Sequence, residues 1–211
     1  MAQNFRYNRS VDYLEEQIAE GAIGAAQLAH AEFSYPAQRS ARRWIADGTL
    51  ACGGPIGDVG VHCIDTLRYV LRSDVVSVST LASRDADSGD VEAVASMQLE
   101  MTNGIFATVT VSARAAYRTL IEVTGSDGAL LAENGLTVDR PVDVELRRAG
   151  ELIETKTLDN GDGYVRMLDG FAAAYRGVGE FRATGEDGVR NMRVLDAAYR
   201  SWKSGRRELV G

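Results

Sequence analysis

The chain has 211 residues, 45% of them hydrophobic and 25% charged, with a formal net charge of −7. That length suits one large domain or two small ones with a sizeable core, and the acidic balance argues against nucleic acid as a partner. Neither a run of roughly 18 apolar residues for a membrane span nor an apolar signal core in MAQNFRYNRSVDYLEE is present, so the expected setting is cytoplasmic.

Residues 2–8 read as a short strand. Ser10 is a plausible N-cap for a helix with Tyr13, Leu14, Gln17 and Ile18 on one face, ending at Glu20-Gly21. Gln27 to Tyr35 alternates and reads as a strand. Residues 36–52 carry Arg39, Arg42, Arg43 and Trp44 with no clear period and read as a surface loop. GGPIGDVGVHCIDTLRYVL, residues 53–71, then reads as a glycine-rich turn followed by a helix.

Beyond it the texture becomes rich in Val, Ile, Thr and Ser. Strands are predicted at 75–83, 93–101, 105–113 and 120–125, with Asn103-Gly104 as a hairpin turn. Shorter strands are predicted at 129–132, 137–139, 142–147 and 152–157. Strands joined by tight turns make an antiparallel meander rather than a βαβ array. The chain ends helical. Residues 164–176 place Val165, Leu168, Phe171, Ala172 and Tyr175 on one face, and Thr184 to Asp187 form a capping region for a helix over 188–203 stopped by Gly205. The fold class is α+β: one domain over 1–211, with a large, mostly antiparallel open sheet and helices packed on one face.

On a wheel of about 100° per residue with Asp58 at zero, His62 falls at about 40°, Asp65 at about −20° and Tyr69 at about 20°. Two carboxylates and a histidine thus share the face opposite the apolar one. Such a cluster suits acid–base chemistry, His62 as the group that takes or gives a proton and Asp58 as its orienter, raising the imidazole pKa. From the wheel alone an equal reading stands: Asp58 satisfies helix N–H groups and His62 is a surface residue. Asp65 either contacts substrate or, the favoured reading, pairs with an arginine. A metal site from Asp58, His62 and Asp65 lacks a fourth ligand, so no metal is expected. Gly57 and Gly60 suggest a close approach of this helix to the sheet or a cofactor. The two cysteines, Cys52 and Cys63, make no disulfide framework, and Cys52 reads as a buried structural thiol. Further substrate contacts are sought in Arg43 and Trp44, in Arg6 with Tyr7, and in Tyr117 with Arg118. For Arg43 and Trp44 a solvated arginine and a packed tryptophan are the alternative.

Four segments, NFRYN at 4–8, EGAIGAAQ at 20–27, residues 53–71 and TGEDGVRNMRVLDAAYRSWKSGR at 184–206, resemble the C-terminal domain of the Gfo/Idh/MocA oxidoreductases. The most specific is the glycine-rich turn followed by D-x-G-x-H-x-x-D on a helix. The resemblance implies the substrate-binding and oligomerisation half of an NAD- or NADP-dependent enzyme acting on a sugar or polyol, with Asp58 and His62 in the acid–base roles. It also implies an N-terminal Rossmann domain for the dinucleotide. This chain has no G-x-G-x-x-G between strand and helix and no Glu-Lys-Pro motif with the family's lysine. No tight cofactor binding by this chain alone is therefore expected, and the Rossmann half belongs to the same gene product or to a separate chain. A non-catalytic carbohydrate-binding or assembly module is the alternative. The resemblance further implies a homodimer or tetramer through the open sheet face, read here as Thr108, Thr110 and Ser112 beside Met97, Leu99 and Met101.

Overall fold

A computed structural model describes residues 3–37 and 41–211 of the chain. Its strands are β1 (Ala26–Ser34), β2 (Val75–Ser83), β3 (Val94–Met101), β4 (Phe106–Ser112), β5 (Arg118–Gly125), β6 (Ala129–Glu133), β7 (Pro141–Arg148), β8 (Glu151–Asp159) and β9 (Glu208–Leu209). Its helices are α1 (Arg9–Ala19), α2 (Val61–Val70), α3 (Gly163–Tyr175) and α4 (Gly185–Ser204). The strands form one open sheet in the order β8-β7-β6-β5-β1-β4-β3-β2-β9. Only β1 and β4 among these neighbours run parallel. The α+β class and the mostly antiparallel sheet are as the sequence implies.

Alternation along the strands decides which face is covered. Met97 pairs with Val109 and Leu99 with Ala107, while Gln98 pairs with Thr108 and Ser96 with Thr110. Met97, Leu99 and Met101 are therefore core residues, buried with Val109 and Val111. They do not share the open face with Thr108 and Thr110, as the sequence reading supposed. A shift of one residue separates the two faces. The open face instead presents Leu28 and Phe106, paired across β1 and β4 and each more than half exposed.

Three other expectations change. Residues Asn4–Tyr7 form a 3-10 turn, not a strand, and all four are buried. A strand would send Phe5, Arg6 and Tyr7 to only two sides, whereas here each side chain meets a different partner. Residues 137–139 form a loop after Asn134, whose φ of 61° turns the chain; Asn8 Nδ2 donates to the Thr137 carbonyl at 2.9 Å and fixes that loop. Helix α3 does not bury its apolar stripe: Val165, Leu168, Phe171 and Tyr175 are all more than half exposed. Helix α4 begins at Gly185 with a capping box between Thr184 and Asp187 and ends at Gly205 in the left-handed conformation.

The helices are locked by a buried charge network. Asp65, 1% exposed, accepts from Arg6 Nε at 2.8 Å and Nη2 at 2.6 Å, and from Asn191 Nδ2 at 2.8 Å. Arg68, also buried, donates to Asn191 Oδ1 at 2.7 Å and to Asp74. The chain start, α2 and α4 thus share one set of charges. Removing one partner strands a buried charge, so Arg6→Met should lower unfolding free energy by about 3–5 kcal/mol. Denaturant unfolding checks this, and a loss under about 1 kcal/mol, as for an exposed pair, would dissolve the network argument.

Candidate active site

The glycine-rich stretch is not one regular helix. Residues Ile56–Gly60 form a π-helical turn before α2 begins at Val61. A wider turn changes the angular phase of everything after it, and such turns often sit at functional sites. The glycines explain how it fits. A Cβ on Gly53 (φ +121°) would run into the Tyr199 hydroxyl, and one on Gly54 into the Glu92 backbone. A Cβ on Gly60 would sit 3.3–3.6 Å from Pro55 O, Met97 and Val111, so the turn lies directly on the sheet.

Asp58 and His62 consequently take different partners. Tyr35, just past β1, donates its hydroxyl to Asp58 Oδ2 at 2.6 Å. Arg42 adds a two-pronged contact, Nη1 to Oδ1 at 3.0 Å and Nη2 to Oδ2 at 3.2 Å. This clamp fixes the carboxylate without the imidazole. Burial, then the Asp58 hydrogen bond, pushes the Tyr35 phenol pKa upward, so it stays a donor.

His62 is held from the chain start. Its Nδ1 lies 3.2 Å from Gln3 Oε1, and its ring meets Phe5 edge-on with centroids 4.9 Å apart. An amide oxygen only accepts, so Nδ1 carries the proton and Nε2 the lone pair. The expected rise in the His62 pKa is not found. Burial pushes it below the ordinary value, against the pull of Asp65 and Asp58. At neutral pH the imidazole is uncharged.

An aromatic floor runs outward from it. Phe5 packs on Phe33 (6.3 Å), and Phe33 meets Tyr35 (6.4 Å) and Tyr117 (6.1 Å) edge-on. Tyr117, a predicted contact residue, thus joins His62 through two rings and is about half exposed. Trp44 is also about half exposed, on a 3-10 turn spanning Arg43–Ala46; the Arg43 side chain and Arg39 lie outside what the structure describes. Arg6 and Asp65, both candidates for substrate contact, are buried against each other and offer no open surface. Arg118 pairs with Glu32 and Glu133 on the sheet's other face. Cys52 is exposed, not buried, whereas burial pushes the Cys63 thiol pKa up. Tyr35, Gln3 and Phe33 carry no motif, so sequence reasoning missed them, and Phe5, though inside NFRYN, was given no role. Arg42 was within reach as part of a basic loop.

The glycine turn does not fit a dinucleotide. Tyr199 and the Glu92 backbone fill the space a phosphate cradle leaves open, and Glu92 Oε1 accepts the Ile56 N–H at 2.8 Å, where an anion would bind. Among the described residues, no three His, Cys, Asp or Glu side chains gather to hold a metal, and no helix is long and apolar enough to cross a membrane.

Comparison with known proteins agrees with this architecture. The family model for the GFO/IDH/MocA C-terminal domain matches residues 11–131. The 1,5-anhydro-D-fructose reductase of Ensifer adhaerens is 31% identical over 186 residues, covering 85% of this chain and 54% of that protein. The inositol 2-dehydrogenase of Rhizobium meliloti (strain 1021) is 28% identical over 210 residues, covering 94% and 61%. The chain therefore spans between 54% and 61% of the length of these two relatives. A solved levoglucosan dehydrogenase in complex with NADH and L-sorbose shares the fold, with a TM-score of 0.83 at 19% identity over 100% of this chain and 65% of that one.

The lowered His62 pKa has a measurable consequence. Between about pH 6.5, the ordinary imidazole value, and its folded value, the unfolded chain takes a proton that the folded chain refuses. Stability therefore falls as pH falls through that window. On going from about pH 7 to about pH 5, the wild-type melting temperature should drop further than that of His62→Gln. Parallel profiles would show that His62 is not the group concerned.

Proposed function

Because the chain belongs to the GFO/IDH/MocA family as its C-terminal domain, we propose that it is the substrate-binding half of an NAD- or NADP-dependent oxidoreductase acting on a sugar or polyol hydroxyl. The observation that carries this reading is the His62 ring, held by Gln3 and Phe5, beside an aromatic floor and a clamped carboxylate. Oxidising a hydroxyl requires an acceptor for its proton, and an imidazole kept uncharged at neutral pH has a lone pair to take it. Gln3 holds the tautomer, and Phe5 holds the ring plane. Asp58, fixed by Tyr35 and Arg42, accepts a hydrogen bond from a neighbouring substrate hydroxyl and sets the ring's orientation. The exposed edges of Phe33 and Tyr117 give an apolar surface for sugar C–H groups.

The hydride acceptor, NAD or NADP, is assigned to a dinucleotide-binding half outside this chain, a reading that the glycine turn filled by the protein's own atoms supports. Every role assigned here is to bind, orient and deprotonate. The two relatives, a 1,5-anhydro-D-fructose reductase and an inositol 2-dehydrogenase, fit the same substrate class. Reconstitution tests the reading. Joined to a dinucleotide-binding half, the chain should oxidise polyols with NAD or NADP, and His62→Ala should lower kcat by on the order of 10²-fold. Turnover unchanged by that substitution would remove His62 from the mechanism. Polyol binding with no turnover under any nucleotide would favour the non-catalytic module.

We further propose that the open sheet face pairs with a second copy. Leu28 and Phe106, paired across β1 and β4 and each more than half exposed, support this, because adjoining apolar side chains are costly to leave wet. Light scattering should give twice the 22.8 kDa chain mass, and Phe106→Glu should return it toward the monomer. A wild-type chain that is already monomeric would count against the pairing.

A further inference from the structure

Helix α3 turns its apolar stripe away from the rest of the chain. Tyr164, Val165, Leu168, Phe171 and Tyr175 are each more than half exposed. On a wheel of about 100° per residue with Gly163 at zero, these five fall between about 80° and 200°, and Gly170 falls at about −20°. The two glycines thus form the back of the helix. A Cβ on Gly163 would sit 2.9 Å from Asn8 Oδ1, and one on Gly170 3.0 Å from the Tyr7 ring. Arg166, on the same side, donates from Nη1 to the Tyr7 carbonyl at 2.6 Å. Turning the stripe inward would break those contacts. An amphipathic helix ordinarily seats such a stripe on its own core, and apolar side chains left open together mark an interaction site.

The position of α3 points to what covers it. The Asn4–Tyr7 turn lies between two helices. Arg6 reaches Asp65 and Phe5 meets the His62 ring, both on α2, while Tyr7 packs on Gly170 of α3. The residues that hold His62 and the residue on which α3 rests therefore belong to one short segment. With His62 taking the hydroxyl proton, the hydride leaves the same carbon for a nicotinamide within about 3.5 Å of it. The body carrying that nicotinamide has to approach beside Gln3 and Phe5, and the α3 stripe is the open apolar surface flanking that segment. The relatives have the length for such a body, since this chain spans 54% and 61% of theirs. The matching family model is that of a C-terminal domain, so their additional length precedes the match, on the side of Gln3.

We infer that the α3 stripe is the docking face for the dinucleotide-binding half, which seats there against the segment holding Gln3 and Phe5. This rests on the reading of His62 as the proton acceptor. A second copy of this chain is not the occupant, being assigned to Leu28 and Phe106.

The test joins this chain at its N-terminus to the segment preceding the match in the inositol 2-dehydrogenase of Rhizobium meliloti (strain 1021) and, in a second fusion, to that of the Ensifer adhaerens reductase. Binding of NADH or NADPH, read by nicotinamide fluorescence, identifies a fusion whose added half is folded. Leu168→Cys and Tyr175→Cys report on the stripe and Leu152→Cys on an exposed strand far from it, each in a Cys52→Ser background; Cys63 is buried. A maleimide should label both stripe positions at least about ten-fold more slowly in the folded fusion than in the isolated chain, with Leu152→Cys labelled at one rate in both. Val165→Glu with Leu168→Glu should leave the isolated chain's melting temperature unchanged and restore fast labelling of Tyr175→Cys in the fusion.

Equal labelling of the stripe in fusion and isolated chain overturns the inference. So does protection that grows with the isolated chain's own concentration, which would make a second copy the occupant. Failure of both fusions to bind either nucleotide counts against it as well. Polyol turnover separates this inference from the proposed function. Protection without turnover leaves the docking face standing and removes the catalytic reading, whereas turnover with an unprotected stripe does the reverse.

Discussion

The constraint on which the site depends is the burial of Asp65. A carboxylate at 1% exposure is tolerated only when its lone pairs are occupied, and here Arg6 and Asn191 occupy them. Arg6 can reach Asp65 only if Asn4–Tyr7 winds into a turn beneath α2. That turn in turn brings Gln3 and Phe5 to the His62 ring. Asp65 therefore shapes the chemistry three residues away without offering a surface to a substrate. Its charge also pulls the His62 pKa upward, yet burial prevails, and the imidazole remains neutral.

Much of the sheet was legible in the sequence, because period-two alternation and an Asn-Gly turn are strong local signals. The β4 alternation placed Thr108 and Val109 on opposite faces, as found. The assignment of Met97, Leu99 and Met101 failed because alternation within a strand does not reveal its register against the next. The α3 stripe was also read correctly as a pattern, but a pattern does not say what covers it. Val165, Leu168 and Phe171 line up as an amphipathic helix should, and the side chains nonetheless face outward.

The site was legible in its members more than in its connections. Asp58, His62 and Tyr117 emerged from the sequence, but the wheel tied Asp58 to His62 as a pair. A uniform 3.6-residue period cannot anticipate the π turn at Ile56–Gly60, which exists because Gly53 and Gly54 admit Tyr199 and the Glu92 backbone. The partners that replaced the pair lie far off in sequence, 23 residues for Tyr35 and 59 for Gln3. Such contacts have no local signature.

The filled glycine turn also bears on how labour is divided. A glycine-rich loop ahead of a helix is the usual cradle for a phosphate, because exposed N–H groups and the helix dipole both favour an anion. Here an internal carboxyl oxygen, Glu92 Oε1, already takes the Ile56 N–H, and Tyr199 of α4 closes the remaining space. The same motif grammar has been turned inward. Its product is a rigid platform that fixes where Asp58 leaves the helix, 2.6 Å from the Tyr35 hydroxyl and within two bonds of Arg42. A carboxylate held this way has little freedom left to lose on accepting a further hydrogen bond. That preorganisation is what the filled glycine turn contributes to the candidate site.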